Sequence, residues 1–274
     1  MTHLGLLERR EQLTAADTLT LIRANLPALP GRASRWSGPL AIVLDLAGGR
    51  LARRQYDPIG KEAVLQTKCR GLILDFGGVL TTRMSLNGQA FERSEGLKPG
   101  EYFAALNENP EGVAIYAALE VGKATQEDWN RVIGGILGID PTNLMRRALA
   151  NLHPEPQIVA AAKRARAAGI KVAMLSNSFG IEPYNPYADK GMWIDFFDAV
   201  ILSELEGVRK PSPVIYERAL DALELTGPEC VFVDDHAENL PPAESLGIRT
   251  VHHTTDPVAT AAILDSLLLD PTAA

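Results

Sequence analysis

Four short polar clusters, each closing an apolar run, carry the residues able to do chemistry. They are Gly71-Leu-Ile-Leu-Asp75-Phe-Gly77-Gly78, Met174-Leu-Ser176-Asn177, Val208-Arg209-Lys210-Pro211 and Val231-Phe-Val-Asp234-Asp235. Asp75 follows three apolar residues that read as a buried strand, so its carboxylate falls at a strand's carboxyl end, where open α/β sheets bind ligands. The Gly77-Gly78 pair behind it makes a turn loose enough for backbone to touch a ligand. A carboxylate so placed can serve as a nucleophile. Ser176, at a strand-to-helix turn, offers a hydroxyl and neighbouring N–H groups to an anion. Lys210 adds a point charge ahead of Pro211 and Pro213, which pin a helix start. Asp234 and Asp235, adjacent and directly after an apolar strand, repel each other unless a cation joins them. Each cluster alone has an ordinary reading: a strand-end Asp, a Lys-Pro helix start, acids at a helix N-terminus. Their order along the chain fits one site.

Together the four clusters resemble those of the haloacid dehalogenase-like superfamily of phosphohydrolases, from about Cys69 to about Thr255. The nearest likeness is to small-cap sugar-phosphate and epoxide-hydrolase-type phosphatases, where Asp-x-Gly-Gly or Asp-x-Gly-Asn forms the nucleophile turn. The resemblance implies that Asp75 attacks phosphorus and forms an aspartyl-phosphate, with Ser176 and Lys210 on the transferring phosphoryl oxygens and Asn177 orienting the substrate. It also implies Mg²⁺ on Asp75, the Gly77 carbonyl and Asp235, with Asp234 holding a metal-bound water and Asn239 in support; hard oxygen donors suit that ion. One departure stands out. The superfamily has a second Asp two residues after the first, and here that position is Gly77. Losing a positioned acid–base group costs about 10²–10⁴ in rate, least for good leaving groups. His236 is either a substitute acid or a helix-surface histidine. His252, His253 and a solvated Arg209 are expected to be peripheral.

The elements that position these clusters follow from periodicity. Residues 157–168, 213–223 and 242–246 read as helices between strands at 170–175, 200–202, 231–233 and 249–251. That alternation predicts a three-layer, Rossmann-like parallel sheet. From 86 to 160 the apolar residues recur at helical spacing, as in Tyr102, Phe103, Leu106 and in Trp129, Val132, Ile133, Ile136. This predicts an inserted helical cap over 86–160, between core segments 67–85 and 161–274, with Trp129 in its core. The stretch Leu119–Trp129 resembles the family's cap segment, a short turn before a Thr-capped helix. Substrate specificity is expected from Glu120–Lys123 and from residues 82–88. Residues 1–66 form an extension outside the resemblance. Within it, Leu40-Ala-Ile-Val-Leu-Asp45-Leu-Ala-Gly48-Gly49 imitates the Asp75 segment. Arg50, Arg53 and Arg54 follow it, and counting from Asp45 would lengthen the gap to Ser176 by thirty residues.

Composition narrows the classes. With 274 residues, 46% hydrophobic and 22% charged, the chain can bury a core and add a second module. A net charge of −7 lacks the basic face that nucleic acid requires, yet leaves room for a local basic pocket. Cys69 and Cys230 form no disulfide framework. No run is long enough to span a membrane, and Glu8-Arg-Arg-Glu11 interrupts any signal-peptide pattern, so a cytoplasmic location is expected; the oligomeric state is open. The expectation is a Mg²⁺-dependent phosphatase of a small phosphorylated metabolite. Its rivals are a metal-independent haloacid dehalogenase sharing Asp75, Ser176 and Lys210, against which Asp234-Asp235 speaks, and a binding protein that lost the acid at position 77.

Overall fold

Leu72, Ile73 and Leu74 leave β1 (Gly71–Leu74) without a polar face, and the computed structural model buries this strand in the middle of a five-stranded parallel sheet. A parallel sheet covered on both sides needs such continuous apolar strands. The chain divides into two units, Met1–Val64 and Leu65–Ala274. The structure describes residues 68–192 and 195–269, so the extension over 1–66 and its Asp45 lie outside the described residues.

The other strands are β2 (Lys171–Ser176), β3 (Ala199–Leu202), β4 (Cys230–Asp234) and β5 (Arg249–His252), in the order β3-β2-β1-β4-β5. The chain moves outward from β1 through β2 to β3, then crosses to the opposite side of β1 for β4. The direction of winding therefore reverses between β1 and β4, where a crevice opens at the carboxyl ends. Register fixes what meets there. Leu74 pairs with both Met174 and Val233, so Asp75, Ser176 and Asp234 leave the sheet close to one level.

Alternation along the strands sorts the core into two faces. Leu72, Leu74, Val172, Met174, Val231 and Val233 belong to an apolar cluster with α6 (Pro156–Ala167) and α11 (Pro257–Leu269). Ile73, Ala173, Leu175 and Phe232 face Ile215, Tyr216 and Ala219 of α9 (Pro213–Leu223), and Ala243 of α10 (Leu240–Ser245). Helix, sheet and helix make three layers. Among the described residues, no helix is long and apolar enough to cross a membrane.

Five helices precede α6: α1 (Met84–Glu95), α2 (Glu101–Asn107), α3 (Pro110–Glu120), α4 (Gln126–Leu137) and α5 (Leu144–Ala148). The expected Thr cap is present. Thr125 Oγ1 accepts from Asp128 N at 3.1 Å while the Asp128 carboxylate accepts from Thr125 N at 3.2 Å, a reciprocal capping box. Trp129 and Ile133 of α4 are buried. The two strands of linker into and out of this helical segment pair antiparallel at Thr81 and Pro154, with Thr82 N donating to His153 O at 2.8 Å. Gln126 ties α4 to the segment after β2: its Nε2 donates to Phe179 O at 2.9 Å and Tyr184 O at 2.8 Å, and its Oε1 accepts from Tyr184 N at 3.1 Å. Short helices α7 (Pro186–Asp189) and α8 (Ser203–Glu206) complete the described elements of the core edge.

Candidate active site

The turn after β1 brings the first cluster to the crevice. Leu80 N and Thr81 N donate back to Asp75 O and Phe76 O at 3.2 and 3.0 Å, closing a wide loop over Phe76–Leu80. Its two glycines have different duties. Gly77 is extended (φ −77°, ψ 112°), whereas Gly78 lies at φ 87°, a region that side chains rarely adopt. A Cβ on Gly78 would come within 2.4 Å of Asp235 Oδ2; one on Gly77 would meet Met84 Cγ and Sδ at an ordinary 3.4 Å. Gly78→Ala is therefore expected to destabilise the protein by about 1–3 kcal/mol and to push Asp235 aside. Gly77→Ala should leave Tm nearly unchanged. Thermal unfolding of the two variants checks the contrast.

Lys210 is the hub. Its ammonium, 2% exposed, donates to Asp75 Oδ1 at 2.5 Å, Asp234 Oδ2 at 2.7 Å and Leu175 O at 3.1 Å. Burial works against its charge, but the Asp75 and Asp234 carboxylates outweigh it and hold the ammonium's pKa above its usual value. Asp234, fully buried, has three of its four acceptor sites filled: Oδ2 takes Lys210, and Oδ1 takes His236 N at 2.8 Å and Asn239 Nδ2 at 3.0 Å. It braces Lys210. Asp235 stands over Gly78, with its Oδ1 2.8 Å from His236 Nδ1. Burial, with Asp234 and Asp235 adding to it and Lys210 opposing it, pushes the Asp75 carboxyl up to about 7.

Asp75, Asp234 and Asp235 face Lys210 and the imidazolium of His236, so ionisation of Asp75 leaves one negative charge in excess, which a divalent cation would neutralise. The donor set fits Mg²⁺: Asp75 and Asp235 would supply carboxylate oxygens and Gly77 a backbone carbonyl. Asp234, Asp235 and His236 also bring their ligand atoms within 4.8 Å of one another. The hydrogen bonds already on Asp234 make it a supporting residue for such an ion.

Ser176 and Asn177 reach the same place by different routes. Ser176 Oγ donates to Asn177 O at 3.1 Å and accepts from the buried Tyr187 hydroxyl at 3.2 Å. Asn177 staples the lysine loop, its Oδ1 accepting from Lys210 N at 2.9 Å and its Nδ2 donating to Lys210 O at 3.2 Å. Both Ser176 and Asn177 line a cavity of about 500 Å³ with Asp75, Gly77 and Lys210. His236, half-exposed, lines it too, at the start of the short turn Ala237–Asn239 rather than on a helix surface. Its bond to Asp235 lifts the imidazole pKa to about 9 despite burial. His253 is buried against Thr260, Nδ1 to Oγ1 2.8 Å, and His252 Nε2 lies 3.1 Å from Asp235 O.

Arg209 departs from expectation. It is not simply solvated: its guanidinium donates to the nearly buried carboxylate of Glu120, at the end of α3, and both residues line the cavity. Burial raises the Glu120 pKa and Arg209 opposes that rise. Ser203 Oγ donates to Glu120 O, so this residue joins the helical segment to the core twice. The pairing joins residues 89 apart in sequence, and no local pattern signals it. Glu120 falls in the stretch expected to carry specificity.

A strand-end carboxylate, an ammonium, a hydroxyl and an acid pair thus meet at the reversal point of a parallel sheet, where such folds place their active sites. A family model for haloacid dehalogenase-like hydrolases matches residues 69–247, and the chain belongs to that family. It is 28% identical over 152 residues to a sesquiterpene phosphatase of Aspergillus oryzae, covering 54% of this chain and 76% of that protein. To a glyceraldehyde 3-phosphate phosphatase of Pyrococcus abyssi it is 40% identical over 58 residues, 21% of this chain and 24% of that one. A family enzyme from Bacteroides thetaiotaomicron, solved with magnesium and inorganic phosphate, shares the fold at a TM-score of 0.51 and 22% identity, over 68% of this chain and 95% of that chain.

Proposed function

We propose that this hydrolase is a Mg²⁺-dependent phosphatase acting on a small phosphorylated molecule through an aspartyl-phosphate, with the helices α1 to α5 as a cap over the site. The observation that carries the reading is the Asp75–Lys210–Asp234 cluster: a carboxylate on a crevice wall, steadied by a buried ammonium, beside more acid than that ammonium balances. Relatives named as phosphatases support it, and a fold neighbour binds magnesium and phosphate.

An Asp75 oxygen attacks phosphorus in line, a P–O bond forms to the carboxylate, and the bond to the alcohol oxygen breaks with its electron pair. That oxygen takes a proton and departs as the alcohol. Water then attacks the same phosphorus, releasing phosphate and restoring the Asp75 carboxylate. Lys210 and Ser176 supply donors to the phosphoryl oxygens, whose charge is highest in the transition state. A bound Mg²⁺ would supply charge neutralisation between carboxylate and phosphate. Position 77 offers no proton to the leaving oxygen, so the rate should depend steeply on leaving-group pKa.

The test is phosphate release from aryl and alkyl phosphates with Mg²⁺ and with EDTA. Expected are Mg²⁺-dependent turnover and an aryl rate exceeding the alkyl rate by about 10²–10⁴, with Gly77→Asp narrowing that gap, since its Cβ has room. Full turnover after thorough chelation would remove the metal from the mechanism, and no phosphate release beside halide release from a 2-haloacid would favour the dehalogenase. A flat leaving-group dependence with chemistry rate-limiting would mean another residue donates the proton, and His236→Ala should then restore the steep one.

A further inference from the structure

We infer that the cavity selects a phosphate ester whose alcohol carries a bulky, uncharged hydrocarbon body, in preference to a sugar or triose phosphate. The inference rests on the phosphatase reading and adds the substrate class. The two named phosphatase relatives differ on this point, one taking its name from a sesquiterpene and the other from a triose phosphate, so the cavity has to decide.

A volume of about 500 Å³ lies within the range of pockets for drug-sized molecules, roughly 300–1,000 Å³. Its walls differ in chemistry. The core wall is the polar one: Asp75, Ser176, Asn177 and Lys210 are enough for a phosphoryl group, and Arg209, His236, Glu238 and Asn239 lie on the same side. The cap wall presents Tyr102, Phe103, Leu106, Val113, Tyr116 and Trp129. Of the two charged or amide side chains that the cap adds, Glu120 is already bound by Arg209, which leaves Asn107, the tyrosine hydroxyls and the Trp129 Nε1 donor. A sugar's several hydroxyls would lose water against that wall and regain few partners, and each buried polar group left unpaired is costly. Hydrocarbon gains from the same wall.

Position 77 points the same way independently. A side chain there would be directed at Met84 Sδ, 3.4 Å from its Cβ, and Phe179 Cζ, 3.6 Å away. Where the family carries an acid, this chain has no side chain and apolar neighbours, so the wall beside the reacting carboxylate adds no hydrogen-bonding group for a sugar hydroxyl.

The test uses 4-alkylphenyl phosphates, from phenyl to 4-heptylphenyl, with the full chain and Mg²⁺. Leaving-group pKa stays almost constant along this series, so chain length reports the cavity alone. Each methylene taken out of water should raise kcat/KM roughly fourfold, with levelling once the cavity is full, for a gain of about 10²-fold or more. Triose phosphate and a hexose 6-phosphate should fall below heptyl phosphate, an alkyl ester with a comparable leaving group. Phe103→Asn should cut the ratio of heptyl to unsubstituted rates about tenfold. A flat series, or a sugar phosphate that outperforms heptyl phosphate, overturns the inference while Asp75-dependent release from phenyl phosphate keeps the phosphatase reading. No release from any member overturns both.

Discussion

Asp75→Asn should abolish turnover, by about 10⁴–10⁶-fold as for removal of other enzymatic nucleophiles, and should change how the stability of the metal-free protein depends on pH. Both effects come from one carboxylate. The amide keeps the volume and cannot attack phosphorus. Burial, with Asp234 and Asp235 adding to it and Lys210 opposing it, raises the Asp75 pKa from 3.8 to about 7. For a carboxyl raised on folding, the unfolded chain ionises first, so this group withdraws stability as pH climbs from near 4 to about 7. Between pH 4 and pH 7 in EDTA, wild type should therefore lose Tm as Asp75 ionises, whereas the variant, which leaves Lys210 with Asp234 as its one carboxylate partner, should lack that slope. Mg²⁺ at neutral pH should raise the Tm of wild type more than that of the variant, because wild type retains both carboxylates that would hold the ion. Thermal unfolding at several pH values, beside turnover assays, checks each part. Parallel Tm profiles of the two proteins from pH 4 to pH 8 in EDTA would mean that Asp75 carries no electrostatic burden.

The second large effect separates two neighbouring acids. Asp234→Ala should cost about 3–5 kcal/mol, the usual loss when one member of a buried ion pair is removed. It would leave Lys210 with one carboxylate, and His236 N and Asn239 Nδ2 without their acceptor. At roughly 2–4 °C per kcal/mol for a domain of this size, Tm should fall by roughly 6–20 °C. Asp235→Ala removes a partly exposed group over Gly78. It should hardly move Tm in EDTA, yet eliminate Mg²⁺-dependent turnover and the rise in Tm on adding Mg²⁺. Urea titrations with and without Mg²⁺ read both. Reversed behaviour would exchange the bracing and ligand roles of the two acids.

Much of this site is legible in the sequence because parallel βα units deliver strand-end residues to one edge. The apolar runs ending in Asp75, Ser176 and Asp234 specify both the strands and the positions of the polar groups, and Lys210 follows from its place before a proline-pinned helix. What is hidden depends on long-range orientation. Asn177 reads as a substrate contact, yet both ends of its amide hold the Lys210 backbone. Arg209 reads as solvated, because its partner Glu120 lies 89 residues away in sequence. The Gly77-Gly78 pair reads as one loose turn, although only Gly78 has a positive φ and an acid pressed on it. Periodicity tells which residues are buried; it does not tell which helix end faces the crevice.

The central claim is that Asp75 carries the phosphoryl group. Rapid acid quenching of the enzyme during turnover of a ³²P-labelled aryl phosphate, followed by peptide mapping, tests it most directly. The account predicts hydroxylamine-labile label on the peptide containing Asp75, appearing before free phosphate and absent from Asp75→Asn. Turnover with no labelled peptide at any quench time and inversion of configuration at phosphorus would contradict it.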